Sequence, residues 1–212
     1  FYAKNGGTLP TQEELAQIRE RIGFNHVVLD PAKRTVFFDK PDMRIDFGGI
    51  GKGLALDYAA AIIRENGVKS ARMHIGTSTI IAIGTPPGKT GWTVDIRSPY
   101  NTGEDAYIAT IDIRDESLST SSRTERVVEI DGSKYGHSID PRTGVPADEV
   151  RSATAIAPTG LDSDALSTAF YILGVEKTRK YCELHPEVRA MLVVEKDAAP
   201  ETIYVNFNKQ TE

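Results

Sequence analysis

The stretch "DMRIDFGGIGKGLALDYAAAIIRENG", residues 42–67, decides the fold. Residues 43–47 read as a strand that runs into a glycine-rich turn, 48–53. A helix follows from Leu54 and stops at Gly67, where a glycine readily takes the left-handed conformation that ends a helix. Strand, glycine turn and helix in succession invite a phosphate-binding reading, because backbone N–H groups at a helix start can cradle an anion. Two familiar patterns fail. A P-loop needs glycine five positions before its Gly-Lys pair and Ser or Thr after it, and those positions hold Asp46 and Gly53. The dinucleotide fingerprint needs a third glycine after Gly49 and Gly51, at the position of Leu54. A structural tight turn and a ligand site therefore both stay open. Asp46 and Lys52, an opposed pair flanking the turn, add weight to the ligand site.

Working outward, residues 11–23 read as a helix with Thr11 and Glu14 as a capping box. "NHVVLDPAKRTVFFDK" reads as a hairpin around an Asp-Pro turn. Beyond the central helix come the strands "ARMHIG", "TIIAIG", "GWTVDIR" and "AYIATIDI". The segment "RVVEIDGSKYGHSI" reads as a hairpin turning at Asp131-Gly132. The strand "SATAIA" then leads to a helix ending near Gly174, a shorter helix over 175–184, and two last strands, "AMLVVEK" and "TIYVNF". No repeat, low-complexity tract or linker interrupts the 212 residues, which read as one α/β-type unit. The balance of 25 Lys+Arg against 30 Asp+Glu disfavours non-specific nucleic-acid binding, which needs a concentrated basic surface. The single cysteine, Cys182, excludes an internal disulfide and any Cys-based metal cluster.

Two further segments carry chemistry. In "GHSIDPRTG", residues 136–144, His137, Asp140, Arg142 and Thr143 crowd into a tight turn fixed by Pro141 and Gly144. The turn reads either as a self-satisfied loop or as a site whose His137 is a general base, the side chain that titrates nearest neutrality. His26, His74 and His185 have structural explanations. In "LDSDALSTAF", residues 161–170, Asp164 and Thr168 stand four apart and so share one helix face. Mg²⁺ takes hard oxygen ligands and is usually held by one or two carboxylates, with water and phosphate completing its shell. Asp162 and Ser163 are good helix caps already, which leaves Asp164 redundant as a cap.

Taken in order, "DFGGIGKGLALD", "STSSRTER", "HSIDPRTG" and "DSDALSTAFYILG" resemble the ApbE-type FAD:protein FMN transferases, from about residue 24 to residue 195. The resemblance implies an α+β fold of mixed, largely antiparallel sheets packed with helices, not a doubly wound sheet. It implies an enzyme that binds FAD, cuts its pyrophosphate with Mg²⁺ and passes FMN to a Thr or Ser hydroxyl of an acceptor protein, releasing AMP. By resemblance, Asp164, Thr168 and the main-chain carbonyl of Gly49 hold the Mg²⁺. Asp46, Lys52 and the turn at Ile139 contact FAD, and His137 assists deprotonation of the acceptor hydroxyl. The chain departs from the family where "HIGTSTI" replaces a Gly-Gly-Asp and where "TSS" at 120–122 replaces the common "TSG". The resemblance further implies that the chain corresponds to the C-terminal two-thirds of such a protein. It also implies an exported, possibly lipid-anchored location on the periplasmic side, and membrane redox subunits as acceptors. An FAD pyrophosphatase, a non-catalytic flavin-binding protein and a plain interaction domain are the competing expectations.

Overall fold

The computed structural model describes residues 9–100, 106–123, 127–130, 133–197 and 199–207. Their contacts divide the chain into two compact units. The first comprises the described residues of Phe1–Asp46 and Arg126–Ala147, and the second those of Phe47–Glu125 and Asp148–Glu212.

In the first unit the capping box forms as the sequence predicts. Thr11 Oγ1 accepts the Glu14 N–H at 3.2 Å and the Glu14 carboxylate accepts the Thr11 N–H at 2.7 Å. This opens helix α1 (Gln12–Arg19), whose buried Leu15 rests against Gly144. The hairpin β1 (Val27–Asp30) and β2 (Thr35–Phe38) pairs antiparallel, with Asp30 Oδ1 accepting the Lys33 N–H at 3.0 Å to fix the turn. A second hairpin joins β8 (Val127–Ile130) to β9 (Ser133–Gly136). Its predicted turn, Asp131-Gly132, lies outside the described residues. The strand predicted over 43–47 is not formed, because those residues join no ladder among the described strands.

The second unit is built on an antiparallel six-stranded sheet in the order β12-β11-β10-β7-β4-β3. Its strands are β3 (Ala71–Ile75), β4 (Thr79–Ile83), β7 (Ser117–Ser122), β10 (Val150–Ala157), β11 (Arg189–Lys196) and β12 (Ala199–Val205). A separate hairpin, β5 (Trp92–Arg97) with β6 (Tyr107–Ile113), covers one face. There Val94, Ile96, Ile111 and Ile113 form a core with Ala82, Leu118, Ile156 and Met191. Helices α2 (Gly51–Glu65), α3 (Gly160–Leu173) and α4 (Val175–Leu184) complete the unit. Leu56 and Ala60 of α2 pack on Ile81 and Ile83 of β4.

The sequence reading missed β7. Its residues, "SLSTSS", carry little intrinsic preference for strand and no run of apolar side chains. The strand forms because it is central, paired on one side with β10 and on the other with β4. Side chains alternate across a strand, so Ser117, Ser119 and Ser121 share the face toward α3, whereas Leu118 joins the opposite core. In register beside those serines stand Ala157, Ala155 and Ala153 of β10. Small residues across both strands let α3 lie close against the sheet.

Candidate active site

The site begins where the N-terminal turns of α2 and α3 meet. The Ile50 and Gly51 N–H groups both bond the Phe47 carbonyl, at 3.1 and 2.8 Å, so the chain curls directly into α2. The helix thus starts at Gly51, before the predicted Leu54, and takes Lys52 and Gly53 into its first turn. Gly53 is required by close approach. A Cβ at 53 would lie 1.9 Å from the Gly160 carbonyl oxygen, and one at 160 would lie 2.4 Å from that of Gly53. The two helices therefore touch backbone to backbone.

Asp57, one turn further along the same face of α2, caps the neighbouring helix. Its Oδ1 accepts the Gly160 N–H at 2.6 Å and its Oδ2 the Leu161 N–H at 2.8 Å. Those groups have no partner within their own helix, and a carboxylate also suits the positive end of its dipole. The local cap of α3 is Thr159, whose Oγ1 accepts the Asp162 N–H at 3.0 Å. This corrects the expectation that Asp162 or Ser163 serves as cap. The helix starts earlier, after extended Thr159, so Asp162 falls in the first turn, where its carboxylate accepts the Thr159 hydroxyl at 2.6 Å.

Asp164 is consequently well inside α3, at 2% exposure. A buried carboxylate is costly unless it is paired and hydrogen-bonded, and this one is both. Lys52 Nζ lies 3.2 Å from Oδ1, and the Thr79 and Ser119 hydroxyls donate to the same oxygen, each at 3.2 Å. The Gly53 N–H donates to Oδ2 at 3.0 Å. Thr168 lies one turn later, and a Cβ built on Gly49 would rest 3.6 Å from its Oγ1. The glycine turn and the α3 face thus meet, although more than a hundred residues of chain separate them.

Of the residues singled out in the sequence, Gly49, Lys52, Asp164 and Thr168 are brought together in the second unit. Asp46, His137 and Ile139 belong to the first. Asp46 is exposed. Ile139 is 43% exposed and forms an antiparallel bridge with Pro146. The Asp140 N–H bonds the Val145 carbonyl at 2.9 Å, and the Ala147 N–H bonds the Ser138 carbonyl at 3.0 Å. Asp140 takes the Arg142 guanidinium on both oxygens, with Nε at 2.8 and 3.0 Å, and also accepts the Arg142 N–H at 2.8 Å. Asp140 and Arg142 therefore brace the loop that carries His137. His137 Nδ1 is buried without a hydrogen-bond partner among the described residues. His74 and His185 are structural as expected, with Nδ1 of His74 2.9 Å from the Gly76 carbonyl and His185 stacked on Tyr181 at 4.2 Å.

Three functional residues escaped the sequence reading: Asp57, Thr79 and Ser119. Asp57 could have been found from its spacing, because it stands four residues after Gly53 and so on the face that must meet a partner. Thr79 and Ser119 sit in strands and carry no comparable signal. Thr77 and Ser78, which replace the family's Gly-Asp, line a cavity of about 140 Å³ with Asp95, Arg97 and Thr120. That cavity opens on the sheet face opposite α3.

The donor set suits a hard divalent cation. Asp164 Oδ2 receives one N–H and keeps lone-pair capacity, Thr168 offers a hydroxyl, and the Gly49 backbone lies beside it. No group of three or more His, Cys, Asp or Glu side chains is clustered among the described residues.

A model of the ApbE family matches residues 1–192. The FAD:protein FMN transferase of Treponema pallidum (strain Nichols) is 33% identical over 199 residues, covering 87% of this chain and 54% of the relative. That of Escherichia coli (strain K12) is 30% identical over 175 residues, covering 81% of this chain and 49% of the relative. Among solved structures, the ApbE protein of Thermotoga maritima superposes with a TM-score of 0.79 at 30% identity, covering 92% of this chain and 62% of that one. The apo form of the Pseudomonas stutzeri flavinyl transferase ApbE gives 0.78 at 26% identity, covering 95% of this chain and 61% of that one. The chain spans about half the length of the curated relatives it matches. Its α+β architecture agrees with the solved neighbours, and the chain belongs to the ApbE family.

Proposed function

We propose that the protein is an FAD:protein FMN transferase, in which FAD is the flavin donor and a Thr or Ser of an acceptor protein receives FMN. The observation that carries this reading is the buried Asp164, held by Lys52 and the Gly53 N–H on the helix face that also presents Thr168 to the glycine turn. The relatives named FAD:protein FMN transferase support it. In the reaction, the acceptor hydroxyl oxygen attacks the phosphorus of the FMN half of FAD. The anhydride P–O bond breaks, its electron pair leaves with AMP, and the hydroxyl proton passes to a base.

Asp164, Thr168 and the Gly49 carbonyl would hold Mg²⁺, which when bound neutralises phosphate charge and eases departure of AMP. Lys52 uses one of its three N–H donors on Asp164 and keeps two for phosphate oxygens. His137 is the base in this reading. A hydroxyl is a weak nucleophile near neutrality and needs one, and His137 Nδ1 has no hydrogen-bond partner among the described residues. Asp46 and Ile139 would contact the flavin nucleotide.

We further propose, on the family resemblance, that the protein works at the periplasmic side of the cell envelope on membrane redox subunits. No helix among the described residues is long and apolar enough to cross a membrane.

Incubation with FAD, Mg²⁺ and an acceptor domain is expected to add one FMN to a Thr or Ser, read by intact-protein mass spectrometry. Asp164→Asn is expected to abolish the adduct, and His137→Ala to slow transfer about 100-fold or more with FAD still bound. Release of FMN and AMP without any adduct would make the protein a pyrophosphatase. An Asp164→Asn variant that transfers like wild type would refute the metal site.

A further inference from the structure

We infer that Ser121, Ser167 and Ser119 form a directed hydrogen-bond chain from Thr168 to Asp164, and that these serines are positioning residues for the two side chains. The inference rests on the reading of Asp164 and Thr168 as metal ligands, and it concerns how the fold orients them.

Four contacts run in series. Thr168 Oγ1 lies 3.2 Å from Ser121 Oγ, and Ser121 Oγ lies 3.0 Å from Ser167 Oγ. The Ser167 hydroxyl donates to Ser119 Oγ at 3.4 Å, and the Ser119 hydroxyl donates to Asp164 Oδ1 at 3.2 Å. Ser119 and Ser167 are each 1% exposed, so their protons must be placed on protein acceptors.

The hydrogens available are consistent with one direction, which the inference adopts. An ionised carboxylate only accepts, and each hydroxyl has one proton to give. Ser119 commits its proton to Asp164, which leaves it an acceptor toward Ser167. Ser167 gives its proton either to Ser119 or to the Asp164 carbonyl at 3.0 Å, so toward Ser121 it too is an acceptor. Ser121, given the shorter contact to Ser167 as its donor bond, accepts from Thr168. Every proton in the chain points toward Asp164. Thr168 is left with its own proton committed to Ser121 and its lone pairs uncommitted, which is the orientation a hydroxyl must adopt to ligate a cation. Thr79, at 3.0 Å from Ser119 and 3.2 Å from Asp164 Oδ1, anchors the receiving end.

With the Ser167 proton on Ser119, the two ligands are joined by one chain, and a cut at either end frees the Thr168 proton to turn. Partners that orient a metal ligand typically contribute 10–100-fold to metal affinity. The test uses Mn²⁺ as the probe, its affinity read from the free-ion electron paramagnetic resonance signal with FAD present. Ser121→Ala, Ser167→Ala and Ser119→Ala are each expected to lose about 10-fold. The double variant Ser121→Ala with Ser119→Ala should lose no more than the weaker-binding single variant, since both interrupt the same chain. Ser121→Thr, which keeps the hydroxyl on a strand, should bind within about 2-fold of wild type. Thermal melting in metal-free buffer checks folding, and Ser→Cys replaces any alanine variant that does not fold.

Single variants that bind Mn²⁺ like wild type would overturn the chain and leave the metal reading standing. Losses that multiply to about 100-fold in the double variant would also overturn it, as independent contributions do. Wild-type binding that is undiminished in Asp164→Asn would overturn the metal reading, and the chain with it.

Discussion

Gly53→Ala sets two effects of opposite sign against each other. Intrinsic preference favours alanine over glycine within a helix by up to about 1 kcal/mol, so a solvent-facing helix would gain stability. Here the new Cβ would stand 1.9 Å from the Gly160 carbonyl oxygen, 2.3 Å from its carbon and 2.8 Å from the Leu161 nitrogen, all backbone atoms that no rotamer change can move aside. Restoring ordinary contact requires α2 and α3 to part by about 1.5 Å. Overpacking of this kind costs about 1–3 kcal/mol. The same displacement stretches the Gly53 N–H bond to Asp164 and the two bonds from Asp57 to the start of α3. Hydrogen bonds to charged groups contribute about 1.5–3 kcal/mol each, so partial loss adds about 2 kcal/mol. The sum, about 3–5 kcal/mol against a propensity gain of about 1, predicts net destabilisation of at least about 2 kcal/mol. For a chain of this size that lowers the melting temperature by about 5–15 °C. Gly51→Ala is the internal control: it lies two residues earlier in the same turn, and a Cβ there meets nothing within 4 Å. It should melt at or slightly above wild type. Circular dichroism melts decide the matter, and a Gly53→Ala protein that melts within about 2 °C of wild type, or higher, refutes the close-contact argument.

Two further outcomes are expected. Asp57→Ala removes both acceptors at the start of α3 and should cost about 2–4 kcal/mol of unfolding free energy, read by urea titration, with Asp57→Asn, which keeps one acceptor, costing about half; equal stability of Asp57→Ala and wild type would show that the cap contributes nothing. Cys182, 1% exposed, has its thiol pushed up to about 11 by burial, so iodoacetamide at pH 8 should label it only after unfolding. The folded state favours the neutral thiol, so this group's contribution to stability is intact below its ordinary pKa of 9.0 and is lost as pH rises toward 11. Rapid labelling of the native protein would contradict that burial.

The sequence revealed the apolar strands and the helices because their side chains alternate or recur with the element's own period. Every strand predicted from an alternating or β-branched run after residue 70 is present. What stayed hidden has no local signature. β7 is nearly all Ser and Thr, and only its place between β4 and β10 makes it a strand. Residues 43–47 show the opposite case, apolar alternation that joins no ladder among the described strands. The Asp164–Thr168 pair was legible from helical spacing, and Lys52 from its position in the glycine turn. That Lys52 reaches Asp164 was not, nor were Thr79 and Ser119 as its donors, since each contact joins elements far apart in sequence. The cap of α3 was placed three residues late because Asp162 and Ser163 are themselves good capping residues, and Thr159 wins by the extended backbone that follows Pro158.

The meeting of α2 and α3 also bears on how the protein folds. Gly53 reaches Asp164 across 111 residues, Asp57 reaches Gly160 across 103, and Thr79 reaches Asp164 across 85. None of these contacts can form in a fragment of a few dozen residues, and each requires a long loop to close first. Intermediates that hold only local hairpins and single helices would therefore lack the site altogether, and the cation binding proposed for Asp164 and Thr168 should arise in the last, slowest phase of refolding. Metal binding followed in real time would report completion of the native topology.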